Sequence, residues 1–179
     1  MLLVRPGWQS LVLRQFRRVR TDLVSALDGL DDSCLGIQAP GVANPIGWTV
    51  WHLTRGIDRN ISEIAGRQQV WLASGWAERF GRPPDPCDTG FGHSSHEVAA
   101  FSSPSGADLL AYHAAVAVIV EQYLAGASDT DLERRTTSPT LSNTHTVEER
   151  LAALLHDSFS HLGQVSVTRA LVISGTKTA

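Results

Sequence analysis

The sequence predicts an all-α protein, four long helices packed as a bundle and joined by long connecting loops. Three observations lead there. Apolar residues recur at alternating spacings of three and four through four separate stretches, the period of an amphipathic helix. Segments rich in proline, glycine and serine separate these stretches, as loops require. No alternating apolar–polar run of useful length, the mark of a half-buried strand, appears in the 179 residues.

In the first helix, Val12, Phe16, Val19, Leu23, Ala26 and Leu30 form one stripe. Arg14, Arg17 and Arg18 lie on another face, which reads as a solvated surface rather than a phosphate-binding patch. Asp31, Asp32 and the stretch GIQAPGVANP end this helix. A second helix begins near Pro45, since a first turn tolerates the missing proline N–H, and Gly66 supplies its stop. Val50, Leu53, Ile57 and Ile64 mark its core stripe. Trp71 to Phe80 reads as a short helical piece, followed by the loop GRPPDPCDTGFGHSS.

Ser105 caps a third long helix from about Gly106 to Leu124, with Leu109, His113, Val116, Val120 and Tyr123 on one stripe. From Gly126 to Thr144 the chain is polar and loop-like, with room for one turn around Asp129 to Arg134. Thr146 and Glu149 form a capping box, in which two orphan helix N–H groups are satisfied reciprocally. The fourth helix then runs from Val147 to about Ile173, and Gly175 ends it.

Composition narrows the functional classes. The length suits one domain spanning residues 1–179, and 42% apolar against 18% charged residues allows a sizeable core. A net charge of −3 argues against nucleic acid or an anionic membrane as partner. The opening MLLVRPGWQS lacks signal-peptide order, and no run reaches the roughly 18 apolar residues that span a bilayer, so a cytoplasmic protein is expected. Cys34 and Cys87 form neither a disulfide framework nor a thiolate metal site, and no basic partner in sequence activates either one. Fourteen arginines against the single Lys177 point to a GC-rich bacterial genome rather than to selected chemistry.

The chemistry concentrates in LLHDSFSHLGQVSVTR. Asp157 and His161 are four apart and project from one helix face, where they could share a divalent ion or form an ordinary ion pair. His156 lies roughly 140° round the helix from His161 and cannot easily join them. A third ligand must come from another helix. His52, in WTVWHLTRGID beside the second core stripe, is the best candidate, although a histidine among tryptophans is also a common core residue. Together, two histidines and a carboxylate would leave coordination positions for water or substrate. Gln164, three after His161, is placed to orient it. Gly163 suggests close helix packing beside the site. His113 reads as a buried, hydrogen-bonded residue and the reserve ligand, whereas His93, His96 and His145 fall in or beside loops and are expected to be exposed. Trp48, Trp51, Trp71 and Trp76 read as core and pocket walls.

NPIGWTVWHLTRGIDRNISEIAGRQQVWLASGWAERFG, DPCDTGFGHSSHEVAA and HDSFSHLGQVSVTR, in this order, resemble the DinB-like superfamily of four-helix metalloproteins over about Phe16 to Leu171. The likeness is greatest to its actinobacterial branch, near the mycothiol-dependent maleylpyruvate isomerase type. The resemblance implies an up-down-down-up bundle holding a divalent metal, zinc or nickel, through three side chains. His52 matches the histidine of the second helix and His161 the last histidine of the final helix. Asp157 stands where many members carry a second histidine. That exchange removes one unit of charge and favours harder metals. Arg59 and Asn60 stand where close relatives carry acidic and histidine residues. Arg59, seven after His52, reads as a surface residue or as the holder of an anionic substrate group.

The resemblance further implies thiol chemistry: a low-molecular-weight thiol, mycothiol in an actinobacterium, attacks a small electrophile in a transfer or isomerisation. It also implies a homodimer, for which Leu11, Leu13, Val24 and the tryptophan-rich piece offer surplus apolar surface. Metal-assisted hydrolysis and a non-catalytic, stress-related binding bundle are the competing readings.

Overall fold

The computed structural model describes residues 7–39, 41 and 44–176. The start through Pro6 and Lys177, used above for compartment and codon bias, lie outside the described residues, as do Pro40, Val42 and Ala43 in the first connection.

The fold is mostly helical, as the periodicity requires. Four long helices dominate: α1 (Trp8–Leu27), α2 (Ile46–Ile64), α6 (Gly106–Gly126) and α7 (Val147–Thr176). Between α2 and α6 lie three short helices, α3 (Val70–Ala73), α4 (Trp76–Arg79) and α5 (Ser95–Ala99). α2 packs against α6 and α7, and α1 packs against the same two, so the long helices form a closed ring of neighbours.

Helix α1 buries Leu13, Phe16, Val19, Leu23 and Ala26 and exposes Arg14, Arg17 and Arg18. Arg17 pairs with Glu121 and Arg18 with Asp22, so the basic face is solvated and internally paired. The helix stops at Leu27, short of the expected Leu30, where Asp28 turns extended and Gly29 takes a positive φ of 66°. Leu13 is buried and so contributes no surplus surface, and the same holds for Trp71 and Trp76. Leu11 and Val24 remain exposed.

Helix α2 is the central element, with fifteen of its nineteen residues buried. Pro45 sits at its N-cap rather than inside the first turn. At its end the Gly66 N–H donates to the Glu63 carbonyl and the Arg67 N–H to that of Ser62, a Schellman stop made possible by Gly66 at φ 63°.

The tryptophan segment splits into α3 and α4 at Gly75, which adopts the left-handed conformation. Inside the expected loop, Ser94 and Glu97 make a capping box that starts α5. The Ser105 cap is as expected, its hydroxyl accepting the Asp108 N–H. Helix α6 carries an 18-residue window with a mean hydropathy of 1.4, apolar and long enough to cross a membrane. Asp108, His113, Glu121 and Gln122 interrupt this helix, so it holds no unbroken apolar run of the length expected of a membrane span. Leu109, Tyr112, Val116 and Val120 of this helix are buried core residues.

The expectation of no strands fails. Arg135–Ser138 (β1) and Asn143–Thr146 (β2) pair antiparallel, Arg135 opposite Thr146 and Ser138 opposite Asn143. Both strands are four residues long and polar, too short for an alternating pattern to register. The Thr146–Glu149 capping box forms in both directions and starts α7, which continues through Gly175 to Thr176.

Candidate metal centre

His52 leaves α2 on the side that faces α7. Its ring stacks on Trp48 one turn earlier, centroids 4.7 Å apart and planes within 13°. Its Nδ1–H donates to the Thr89 carbonyl at 2.5 Å. That bond fixes the tautomer and leaves the Nε2 lone pair free. Thr89 is held in place by its neighbour Gly90, at φ 81°. A Cβ on Gly90 would come within 2.8 Å of Trp48, 2.9 Å of Trp51 and 3.0 Å of His52 Nδ1, so only glycine lets the loop close on this ring.

From α7, His161 meets His52 edge to face, ring centroids 4.6 Å apart at 89°. Its Nδ1–H donates to Gln164 Oε1 at 2.9 Å, the contact the three-residue spacing suggested. His161 Nε2 lies 3.3 Å from Asp157 Oδ1. One donor atom from each of His52, Asp157 and His161 lies within 4.8 Å of the others.

This donor set fits a divalent cation. His52, its Nδ1–H engaged by Thr89, presents a free Nε2, whereas His161, its Nδ1 at Gln164, shares an Nε2 proton with Asp157 that a cation would displace, and the carboxylate completes an N₂O set. Three donors at about 2.0–2.2 Å from one tetrahedral ion sit about 3.3–3.6 Å apart, within reach of small side-chain adjustments. The electrostatics agree. Partial burial works to raise the Asp157 pKa, but the hydrogen bond and charge of His161, with His52 and Arg59, hold it below the usual carboxylate value. Burial works to lower the His161 pKa, yet Asp157 and Gln164 raise it on balance. For His52, burial dominates and lowers it.

A fully buried polar network holds the loop over the site. Arg55 donates to the Asp88 and Pro86 carbonyls and to Gln69, and pairs with Asp58 at 3.3 Å. Asp58 also accepts from the Val70 and Trp71 N–H groups and from Tyr112, which ties α3 and α6 to α2. Arg82 and His93 both approach Asp88, and the Trp48 indole N–H donates to His93 Nδ1 at 3.2 Å. His93 is therefore packed on tryptophans rather than exposed, whereas His96 and His145 are exposed as expected.

The remaining expected residues fall as follows. His113 is buried, hydrogen-bonded to Thr54 at 3.1 Å, and does not join the triad. Gly163 is exposed with open space around it, so it marks no close helix contact. Close approach occurs instead at Gly56, where a Cβ would meet Asp157 Oδ2 at 3.7 Å. Arg59 is half-buried, not a surface residue. Together with His52, Asp157, His156, Phe91 and residues of the β-hairpin, it lines a cavity of about 520 Å³. Thr89, Arg55, Asp58 and the hairpin wall are parts of the site's surroundings that the sequence reading did not single out. The three-residue spacing of Arg55 and Asp58 within an otherwise apolar helix was the available signal.

Among solved structures, the chain is similar to the crystal structure of a conserved protein from Enterococcus faecalis. The TM-score is 0.81 at 23% identity, covering 92% of this chain and 96% of that one, which establishes a shared fold. No curated protein matches it. The family model that matches spans residues 15–165, a stretch that takes in all three members of the triad and Gln164, and by that match the chain belongs to the DinB superfamily.

Proposed function

We propose that the chain is a divalent-metal-dependent enzyme that uses a low-molecular-weight thiol to transfer to, or isomerise, a small electrophile. The observation that carries this reading is the convergence of His52, Asp157 and His161 from two helices, both imidazoles engaged through Nδ1, beside an open cavity. Zinc or nickel is the expected ion, and mycothiol the expected thiol if the arginine-rich composition reflects an actinobacterial source.

A cation held by this triad supplies a positive field that favours a thiolate over its thiol and polarises a carbonyl. The chain's own residues do the rest. Thr89 and Gln164 orient the two imidazoles, and Asp157 stays ionised at neutral pH. Trp48 covers one face of His52, and the loop around Gly90 limits access of water from that side. Arg59 lines the cavity as the candidate for an anionic substrate group.

The same reading takes residues 1–179 as one up-down-down-up bundle that works in the cytoplasm as a homodimer. The closed ring of long helices and the exposed Leu11 and Val24 support it. Purified protein supplied with Zn²⁺ or Ni²⁺ and mycothiol or a surrogate thiol should consume a chromogenic electrophile. Chelation and His52→Ala should each abolish the rate. Thiol-independent turnover would support a hydrolase instead, and no turnover a binding bundle.

A further inference from the structure

We propose that the cavity beside the triad selects its substrate by apolar contact, so that the electrophile carries an apolar ring or chain that lies between Phe91 and Leu141. The catalytic meaning of this contact rests on the metal-centre reading above; the binding itself does not. It is the body of the molecule that is selected in this way, apart from any group that Arg59 holds.

The cavity, about 520 Å³, lies between α2, α7 and the β-hairpin and is of a size that takes a small molecule. Its wall carries no net charge. Two cations, Arg59 and Arg150, face two anions, Glu149 and Asp157. Each is answered within the protein: Glu63 and Asp157 act on Arg59, Arg150 pairs with Glu63, and Glu149 accepts the Thr146 N–H and lies beside His145. Along the cavity, the contact left to distinguish one molecule from another is apolar.

Two side chains supply it. Among the described residues nine large apolar side chains are exposed, and Phe91, at 76%, is the most exposed of them. Phe91 and Leu141 are the two of the nine that line this cavity. Both stand on turns, where polar residues and glycine are the rule, and both turns are tied down. Phe91 follows Gly90, which has no room for a side chain against Trp48, Trp51 and His52, and the Phe91 N–H donates to Thr89 Oγ1 at 3.4 Å. The Leu141 N–H donates to Ser138 Oγ at 3.1 Å, and the neighbouring Thr140 hydroxyl donates to Glu63. Thr89 meets α2 at His52 and Thr140 meets it at Glu63, about 16 Å further along the axis. The two apolar side chains therefore stand toward opposite ends of one cavity, the first beside the triad. Gly56, between His52 and Glu63 on α2, has no side chain to block the way, and Ala153 and Leu154 of α7 continue the apolar wall.

The test uses the full chain, as purified and after chelation, titrated by calorimetry with 2-naphthylmethanol, the shorter benzyl alcohol and the polar ring myo-inositol. 2-Naphthylmethanol should bind saturably with or without metal, about tenfold more tightly than benzyl alcohol, and myo-inositol more weakly than either. Phe91→Ser and Leu141→Ser should each weaken 2-naphthylmethanol binding about fivefold or more, with zinc stoichiometry and Tm unchanged because both side chains are exposed. Phe91→Leu, which keeps an apolar side chain, should stay within about threefold of wild type. Equal affinity for the two alcohols, tighter binding of myo-inositol, unchanged affinity in both serine variants, or a loss in Phe91→Leu as large as in Phe91→Ser would each overturn the proposal. Protein that binds 2-naphthylmethanol but no zinc keeps the apolar subsite and removes the metal reading; protein that binds zinc but no 2-naphthylmethanol does the reverse.

Discussion

Acid should destabilise this protein in measurable part through one core histidine, His113. Its side chain on α6 is 4% exposed, hydrogen-bonded to Thr54 and beside a void of only about 20 Å³, room for about one water. Burial, with a further contribution from the Arg20 charge, lowers its pKa from 6.5 to about 4. In the unfolded chain the imidazole titrates near 6.5, so between pH 6.5 and 4 the unfolded state binds more protons than the folded one. Stability therefore falls as pH falls through that window. The gap from 6.5 to about 4 corresponds to about 3 kcal/mol in full, of which about 2 kcal/mol is already lost at pH 5. Carboxylates add their own acid sensitivity, so the measurement is a difference. Urea unfolding of wild type and His113→Gln at pH 7 and pH 5 should show the wild type losing about 2 kcal/mol relative to the variant. A pH-independent difference, or an NMR titration placing His113 near 6.5, would refute the reasoning.

Two further substitutions probe the loop over the triad. Gly90→Ala forces a side chain into Trp48, Trp51 and His52 at a positive φ, and should cost about 1–3 kcal/mol and loosen metal binding, read by thermal melts and zinc titration. Arg55→Met leaves Asp58 buried without its cationic partner and should cost about 3–5 kcal/mol, with faster amide exchange at Asp88 and Thr89.

The helices and the Asp157–His161 pair were legible in the sequence because both rest on helical spacing, whereas His52, on another helix, was reached by elimination and by the resemblance. The stripes of α1 and α6 place residues by period, and Asp157 and His161 share a face by the same rule. What closes the site is not periodic. The Thr89 carbonyl reaches His52 across 37 positions through a backbone atom, and no residue type announces such a contact. The hairpin escaped because RTTS and NTHT are too short and polar to alternate, leaving only β-branched threonine as a cue. Arg55 and Asp58 lie on the buried side of α2, where charged residues survive only as partners, and that pairing was the overlooked signal. Arg59 illustrates the converse error: arginine is commonly at the surface, and only the fold shows the cavity beside it.

The most direct test of the account is equilibrium zinc titration of chelator-treated wild type against His161→Ala, with circular dichroism to confirm that both are folded. The expected result is one ion per chain in the wild type and loss of that binding in the variant, with Asp157→His binding at least as tightly as wild type. Equal, stoichiometric zinc in wild type and His161→Ala would contradict the assignment of His52, Asp157 and His161 as the metal centre.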